Sequence, residues 1–595
     1  MTQFSNLFVA YLNRYTTVTS EHEAAFDEFV TQAQPPSGEV LGLKTRTEEF
    51  VSNHFKQEHP ASIILTGNAG DGKTYLCRQI IRVFTDKSLD SWGNDPELSI
   101  PKGKQMLRVV KDLSEVGSEK GIGILHDLAT AVKEESNSTV FLVAANEGRL
   151  RDLLTKGKFD ELYQAVDHQL VDGPKLDNKH LIVLNLNEVT TSTYVVPTLE
   201  WMTDPKHWRA CEGCIAFHDC PIRFNAKRLK DQYIGSRLRL LYQLLEHVDI
   251  HVTIRDMLIH LSYTVTGGKT CEEIIERNSQ PGKDLHKDVY YENAFGTEMG
   301  RSFQNFAVIN HLHRLEVGGH SQFEIDDFII NGYHENQQAR KEYERLFSPA
   351  VDLEGHRFAI NRDAYLQGGA ASPQRETDHP LIQFWLPHCR RKLFFEWQEQ
   401  EQANRLIPFT FFSHYLRLLE GNRGLQEYTK RALIKGLNRA FAKLYISDED
   451  NLHVTSQYAR TVEQPMPIIQ LSLPADNIEL AIYPSRERAY DYDKRDLFLR
   501  ISPPSQMEKR NPIEWTVDLL RFEYLMRLAQ GGTYNVLAEE CELVVRQLRD
   551  ELLTKFAASV EKKGYVRFFI AENNHYILRK LWIDEEGQKI QVGVD

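Results

Sequence analysis

Ala61-Ser-Ile-Ile-Leu-Thr66 runs directly into Gly67-Asn-Ala-Gly-Asp-Gly72-Lys73-Thr74, and Leu76, Ile80 and Val83 follow at helical spacing. The first piece is a short apolar run with β-branched residues, the pattern of a buried strand. The second is an unbroken match to G-x-x-x-x-G-K-[ST]. The third is a helix with one apolar face. Glycines let the backbone bend so that successive N–H groups point at phosphate oxygens, and the helix N-terminus adds the positive end of its dipole. The Lys73 ammonium is expected to reach the β- and γ-phosphates, and the Thr74 hydroxyl to ligate Mg²⁺. Gly67, Asn68, Ala69, Gly70, Asp71, Gly72, Lys73, Thr74 and the adjoining Tyr75 are the expected nucleotide contacts, with ATP and Mg²⁺ as cofactors.

Three apolar runs follow, Met106 to Val110, Thr139 to Ala145 and His180 to Leu186, with helical patterns over Gly123 to Glu135 and Arg149 to Leu170. With Ile63 to Thr66 as the first strand, the order is β-α-β-α-β-α-β, a right-handed parallel sheet. The pattern resembles P-loop ATPases of the AAA+ kind. There the third strand carries the metal-side carboxylate and catalytic glutamate, and the fourth carries a polar sensor. On that count the third strand ends Val143-Ala-Ala-Asn146-Glu147. Glu147 then polarises the attacking water, and Asn187 or Asn185 contacts the γ-phosphate. Asn146 stands where aspartate is usual, and a neutral amide holds Mg²⁺ more weakly than a carboxylate. A rival count ends the acidic strand at Asp112-Leu-Ser-Glu115 and makes Asn146 the sensor. Strand order favours the first count, and a true aspartate favours the second. Capping a helix start is the structural alternative for Asp112 and Glu115.

Three of the seven cysteines, Cys211, Cys214 and Cys220, fall close together in His207-Trp-Arg-Ala-Cys-Glu-Gly-Cys-Ile-Ala-Phe-His218-Asp-Cys220. A C-x-x-C turn plus a third sulfur, with His218 or His207 as fourth ligand, makes a Cys₃His structural zinc site. Unliganded thiols and a redox pair are the alternatives.

Ser236 to Val248 and Thr253 to Val265 read as amphipathic helices where AAA+ ATPases place a lid, with Arg255 as a second sensor and Arg149 and Arg151 as arginine fingers. Arg431, Lys435, Arg439 and Lys443 recur every four residues on a helix over Gln426 to Tyr445. Such a stripe suits a phosphate backbone or an acidic partner, and more often is a solvated face. Beyond Asn451 short strands alternate with helices over Pro512 to Ala529 and Tyr534 to Lys562.

The expected organisation is an α/β P-loop NTPase with an AAA+-like parallel sheet, a helical lid and a C-terminal α+β module. Its parts are an N-terminal helical extension (1–40), the ATPase core (41–200), a Cys-rich knuckle (201–230), the lid (231–345), a loop or linker (346–380), a helical region (381–450) and the α+β module (451–595). The net charge of −13 argues against a surface that grips nucleic acid throughout, though a local basic groove is compatible with it. No apolar stretch reaches the roughly 18–20 residues of a bilayer crossing, and the N-terminus is not a secretory signal. A cytoplasmic location is expected.

Gly67 to Thr74, Lys111-Asp-Leu-Ser-Glu115, Ala145-Asn-Glu-Gly148 and the cysteine knuckle, in this order, resemble AAA+-like ATPases of bacterial antiphage defence islands. The DptF-type ATPases of phosphorothioation-dependent DNA restriction are the nearest type, over residues 40 to 280. The resemblance implies an oligomeric ATPase working with partner defence proteins, with DNA as a further partner. A nucleotide-binding scaffold with little hydrolysis and a P-loop kinase are the competing readings.

Overall fold

The computed structural model describes residues 5–17, 34–85, 95–103, 105–133, 138–279, 285–332, 337–367, 373–456, 467–484, 495–504, 511–532, 538–556, 565–572, 575–583 and 590–594. Two compact units divide the chain, the first built mainly from residues before Phe409 and the second mainly from those after Pro408.

In the first unit, Ser62–Thr66 (β1), Glu97–Lys102 (β2), Gln105–Val110 (β3), Thr139–Ala145 (β4) and Leu181–Asn185 (β5) form one sheet in the order β2-β3-β4-β1-β5. β1 lies between β4 and β5, parallel to both, and is buried at every position. That position explains its uninterrupted apolar run, since a strand covered on both faces has no polar side to show. Ile63 and Leu65 pack on one face with Leu76, Ile80 and Ile81 of helix Lys73–Thr85. Ile64 packs on the other face with Leu125, Leu150 and Leu153. The result is an α/β domain with helices on both faces of a mostly parallel sheet.

The four-strand count expected from sequence is corrected here. Glu97–Lys102 is an additional strand, antiparallel to β3, so Gln105–Val110 is third and Thr139–Ala145 fourth. β2 carries no apolar run because it lies at the sheet edge, where Ile100 alone of its residues is buried. Pro101 fits an edge, where no ladder bond is lost to its missing N–H. The single helix read over Arg149 to Leu170 is two helices, Glu147–Lys156 and Asp160–Asp172. Lys158, at φ +56°, turns the chain between them.

Helices Gln232–His247 and Ile254–Thr266 stand where the lid helices were expected. Thr253 caps the second through the Asp256 N–H, and Gly267 closes it in the left-handed conformation. Residues 346–380, expected as loop or linker, include helix Gly355–Gln367 and the start of helix Pro373–Glu396. The pattern of the first is weak because Ile360 and Leu366 are exposed while Phe358 is buried. The Gly368-Gly-Ala-Ala-Ser372 part of that reading lies outside the described residues. Buried charges tie this helical region together. Glu396 accepts from Arg228, Tyr233 and Tyr290, and Lys392 donates to Asp352 at 2.6 Å.

The second unit holds antiparallel sheets. Asn451–Thr455 (β6), Ile468–Pro474 (β7), Ile478–Pro484 (β8), Arg495–Ile501 (β9), Ile513–Thr516 (β10), Tyr565–Glu572 (β11), His575–Ile583 (β12) and Ile590–Val594 (β13) pair as β10-β9-β8 and β13-β12-β11-β7-β6. The helix read over Pro512 to Ala529 begins as β10, and only Leu519–Ala529 is helical. Helix Ala538–Phe556 occupies the Tyr534 to Lys562 reading, whose outer ends lie outside the described residues. The basic stripe does not form one solvated face. Arg439 is buried, with donors on the carbonyls of Ile446, Leu528 and Ala529, and Arg431 pairs with Glu427 and Asp450.

Helix Arg423–Ala442 crosses helix Leu519–Ala529 at Gly436, where an added Cβ would lie 2.3 Å from the Leu525 carbonyl oxygen. Gly436→Ala is therefore expected to lower stability by about 1–3 kcal/mol through overpacking, although alanine is the better helix former. Urea unfolding of the two chains measures the difference, and equal midpoints would contradict the packing argument.

Candidate functional site

The chain leaves β1 at Thr66 and enters helix Lys73–Thr85 through Gly67–Gly72. Gly70 has φ +96°, and a Cβ there would meet Thr253 Oγ1 at 2.9 Å and Arg255 Cβ at 3.0 Å. Both the backbone angle and the close approach require glycine. The Arg255 N–H donates to the Gly70 carbonyl at 3.3 Å, so the first turn of helix Ile254–Thr266 rests on the loop. Arg255 is thereby placed beside the expected phosphate contacts.

Lys73 is buried, and its Nζ donates to the Gly67 and Asn68 carbonyls at 2.9 and 2.6 Å. The Asn68 N–H donates to Asp71 Oδ2 at 2.6 Å and to Asn187 Oδ1 at 2.9 Å. Asp71 Oδ1 pairs with His251 Nε2 at 2.8 Å. A ring of polar groups thus closes over the loop, drawn from the end of β5 and from the segment before helix Ile254–Thr266. Asn185 reaches the same place indirectly, accepting from the Asn187 N–H at 3.2 Å. Thr74 is half-buried at the helix start. Burial raises the Tyr75 phenol pKa, and the nearby Glu48 of helix Arg46–His54 raises it further.

The two sets of acidic residues separate. Asp112 follows β3, and its Oδ1 accepts the Ser114 N–H at 2.7 Å, the capping role that the sequence also allowed. It nevertheless lies within electrostatic reach of the loop helix. Burial pushes the Cys77 thiol up to about 12, with Lys73 drawing it down and Asp112 driving it further up. Cys77 is one turn beyond Lys73. Glu147 opens the helix after β4 and is held by Arg151 at 2.9 Å. Asn146 caps that helix through the Gly148 N–H at 3.0 Å. The expected arginine fingers are engaged within the chain, Arg149 on the Val116 carbonyl and Arg151 on Tyr163 and Asp167.

The set Cys211, Cys214, His218 and Cys220 is not assembled as expected. Among the described residues, no three His, Cys, Asp or Glu side chains converge as a metal-ligand group. His218 packs edge-on against Phe217, and the His207 ring stacks on Phe8 at 3.9 Å. The three cysteines instead line a small cavity together with Cys271, from which both histidines are missing. Burial raises the Cys211 and Cys271 thiols and takes Cys220 up to about 12.

His251 and Cys271 escaped the sequence reading. Asp71 and His251 are 180 residues apart in the chain. Local spacing carries no signal for such a pair, and a single cysteine at the start of a helix carries none for a shared cavity. Among the described residues no helix is long and apolar enough to cross a membrane. No family model, curated protein or solved structure matches the chain.

Proposed function

We propose that this chain binds a nucleoside triphosphate with Mg²⁺ at Gly67–Thr74 and hydrolyses it, acting as an AAA+-like P-loop ATPase. The carrying observation is the loop itself, strung between the buried central strand and the first turn of helix Lys73–Thr85. In that reading Lys73 exchanges its two carbonyl partners for phosphate oxygens, and the ammonium and helix N-terminus together offset the triphosphate charge. The corrected strand count supports Asp112 as the metal-side carboxylate, with Thr74 as the other protein ligand and Asn146 at the sensor position. Asn187 and Arg255 both touch the loop and are suited to register whether a γ-phosphate is bound.

Hydrolysis of this kind is positioning plus charge stabilisation, so its steps need little covalent chemistry from the protein. The resemblance to ATPases of antiphage defence islands supports a switch or motor working in an oligomer with partner proteins.

Addition of Mg·ATP is expected to raise the unfolding free energy by about 2.7 kcal/mol once free nucleotide reaches roughly 100 times its Kd. Thermal unfolding with ATP, ADP and neither, paired with phosphate release, tests the proposal. No shift with millimolar nucleotide removes it. A shift without phosphate release leaves a nucleotide-binding scaffold, and phosphate transferred to a metabolite identifies a kinase.

A further inference from the structure

We propose that Cys211, Cys214, Cys220 and Cys271 form a Cys₄ structural zinc site, with Cys271 and not a histidine as the fourth ligand. The inference stands apart from the nucleotide reading.

The four residues line one cavity whose other walls are largely apolar, including Val9, Phe217 and Ile274. They reach it from separate segments. Cys211 and Cys214 sit on one tight turn, closed by the Cys214 N–H on the Cys211 carbonyl at 3.0 Å. Cys220 immediately precedes helix Pro221–Leu229. Cys271 is the first residue of helix Cys271–Asn278, whose start is fixed by a capping box between Thr270 and Glu273.

Asn6 supplies a second, independent observation. Its backbone N–H donates to Cys271 Sγ at 3.4 Å and its Nδ2 to Cys211 Sγ at 3.3 Å. Asn6 Oδ1 accepts the Phe8 N–H at 2.9 Å, which leaves Nδ2 turned toward the sulfur and the His207 carbonyl. Sulfur is a weak acceptor from such donors as a thiol. Two N–H groups aimed at two sulfurs suit thiolates, and outer hydrogen bonds of this kind orient metal ligands. All seven cysteines are free, so no disulfide competes for these sulfurs.

The sulfurs line the cavity wall without yet converging on one point. Zn–S bonds are about 2.3 Å, so binding would draw the four sulfurs inward from the cavity wall, each by turning about its Cα–Cβ bond. Four thiolates saturate a tetrahedral ion and leave no open position, so the site is structural and not catalytic. It would fasten the turn Arg209–Gly213 to helix Cys271–Asn278, just beyond the C-cap of helix Ile254–Thr266. The opposite end of that helix touches Gly70. The metal would therefore anchor the element that carries Arg255 against the loop.

The test uses the full chain, purified reduced and without chelator, with metal content measured by mass spectrometry. About one zinc per chain is expected, lost in Cys271→Ser and retained in His218→Ala and His207→Ala. Cobalt exchanged into the unaltered chain gives a readout that no variant's folding can confuse, since four thiolates produce stronger sulfur-to-metal charge-transfer absorption than three. A chain that takes up no zinc from an equimolar supply overturns the proposal. So does retention in Cys271→Ser with loss in His218→Ala, a three-thiolate cobalt spectrum, or a brown chromophore with iron and inorganic sulfide.

Discussion

Lys73→Ala is expected to abolish measurable nucleotide turnover, a fall of at least about 100-fold by comparison with other preorganised charge-stabilising donors. The side chain is buried at the first position of helix Lys73–Thr85, and its ammonium donates to the Gly67 and Asn68 carbonyls. Its loss removes a positive charge from where a triphosphate brings several negative ones. Asn68 is an exposed residue, so water can replace Nζ at its carbonyl, whereas the carbonyl of buried Gly67 loses its donor, and a loss of stability of about 1–3 kcal/mol is expected with the fold retained. Phosphate release under saturating Mg·ATP is the measurement, with thermal unfolding as the control for folding. Turnover at the unaltered rate in Lys73→Ala would remove Gly67–Thr74 from the chemistry altogether. Lys73→Arg is not expected to rescue activity, since a planar guanidinium does not occupy the place of a compact ammonium.

Asp112→Asn is expected to lower turnover about 100-fold or more and to raise the Mg²⁺ concentration needed, whereas Glu147→Gln changes either by only a few-fold. A carboxylate on the metal's water shell contributes charge that an amide cannot replace. Asp112 follows the third strand and acts on Cys77 beside Lys73, while Glu147 is paired with Arg151 at the start of another helix. Steady-state rates over a Mg²⁺ series for both variants decide between them. A severe defect in Glu147→Gln with a mild one in Asp112→Asn would restore the count that placed the acidic strand end at Asn146-Glu147. The capping bond from Asp112 to the Ser114 N–H is kept by asparagine, so a loss of activity in this variant reports charge and not a broken turn.

Much of the first unit was legible because its signals are local. The residues Ile63 to Leu65 are apolar without interruption, which the burial of β1 on both faces demands. Thr253 and Gly267 bracket a helix in the positions that cap chemistry favours. The edge strand Glu97–Lys102 was not legible, since one buried side chain leaves no periodicity to find. That single omission shifted the strand count on which the choice between the Asn146-Glu147 and Asp112-Glu115 strand ends was argued. Helix Leu519–Ala529 was read too long at its start because Ile513 and Trp515 are apolar in either conformation. Arg439 shows the same limit for charge. Four-residue spacing places it on a stripe, but only the packing of helix Leu519–Ala529 reveals that its guanidinium is buried on backbone carbonyls.

Residue order alone sufficed for the loop, its flanking strand and helix, and the alternation that makes an α/β sheet, because backbone bending, dipole and side-chain periodicity act within a few positions of the chain. It did not suffice for the partners of those groups. His251 on Asp71, Asn187 on Asn68, and Cys271 beside Cys211 join residues tens to more than a hundred positions apart. Such neighbours are selected by how strands order and helices pack, a collective outcome that no local spacing encodes.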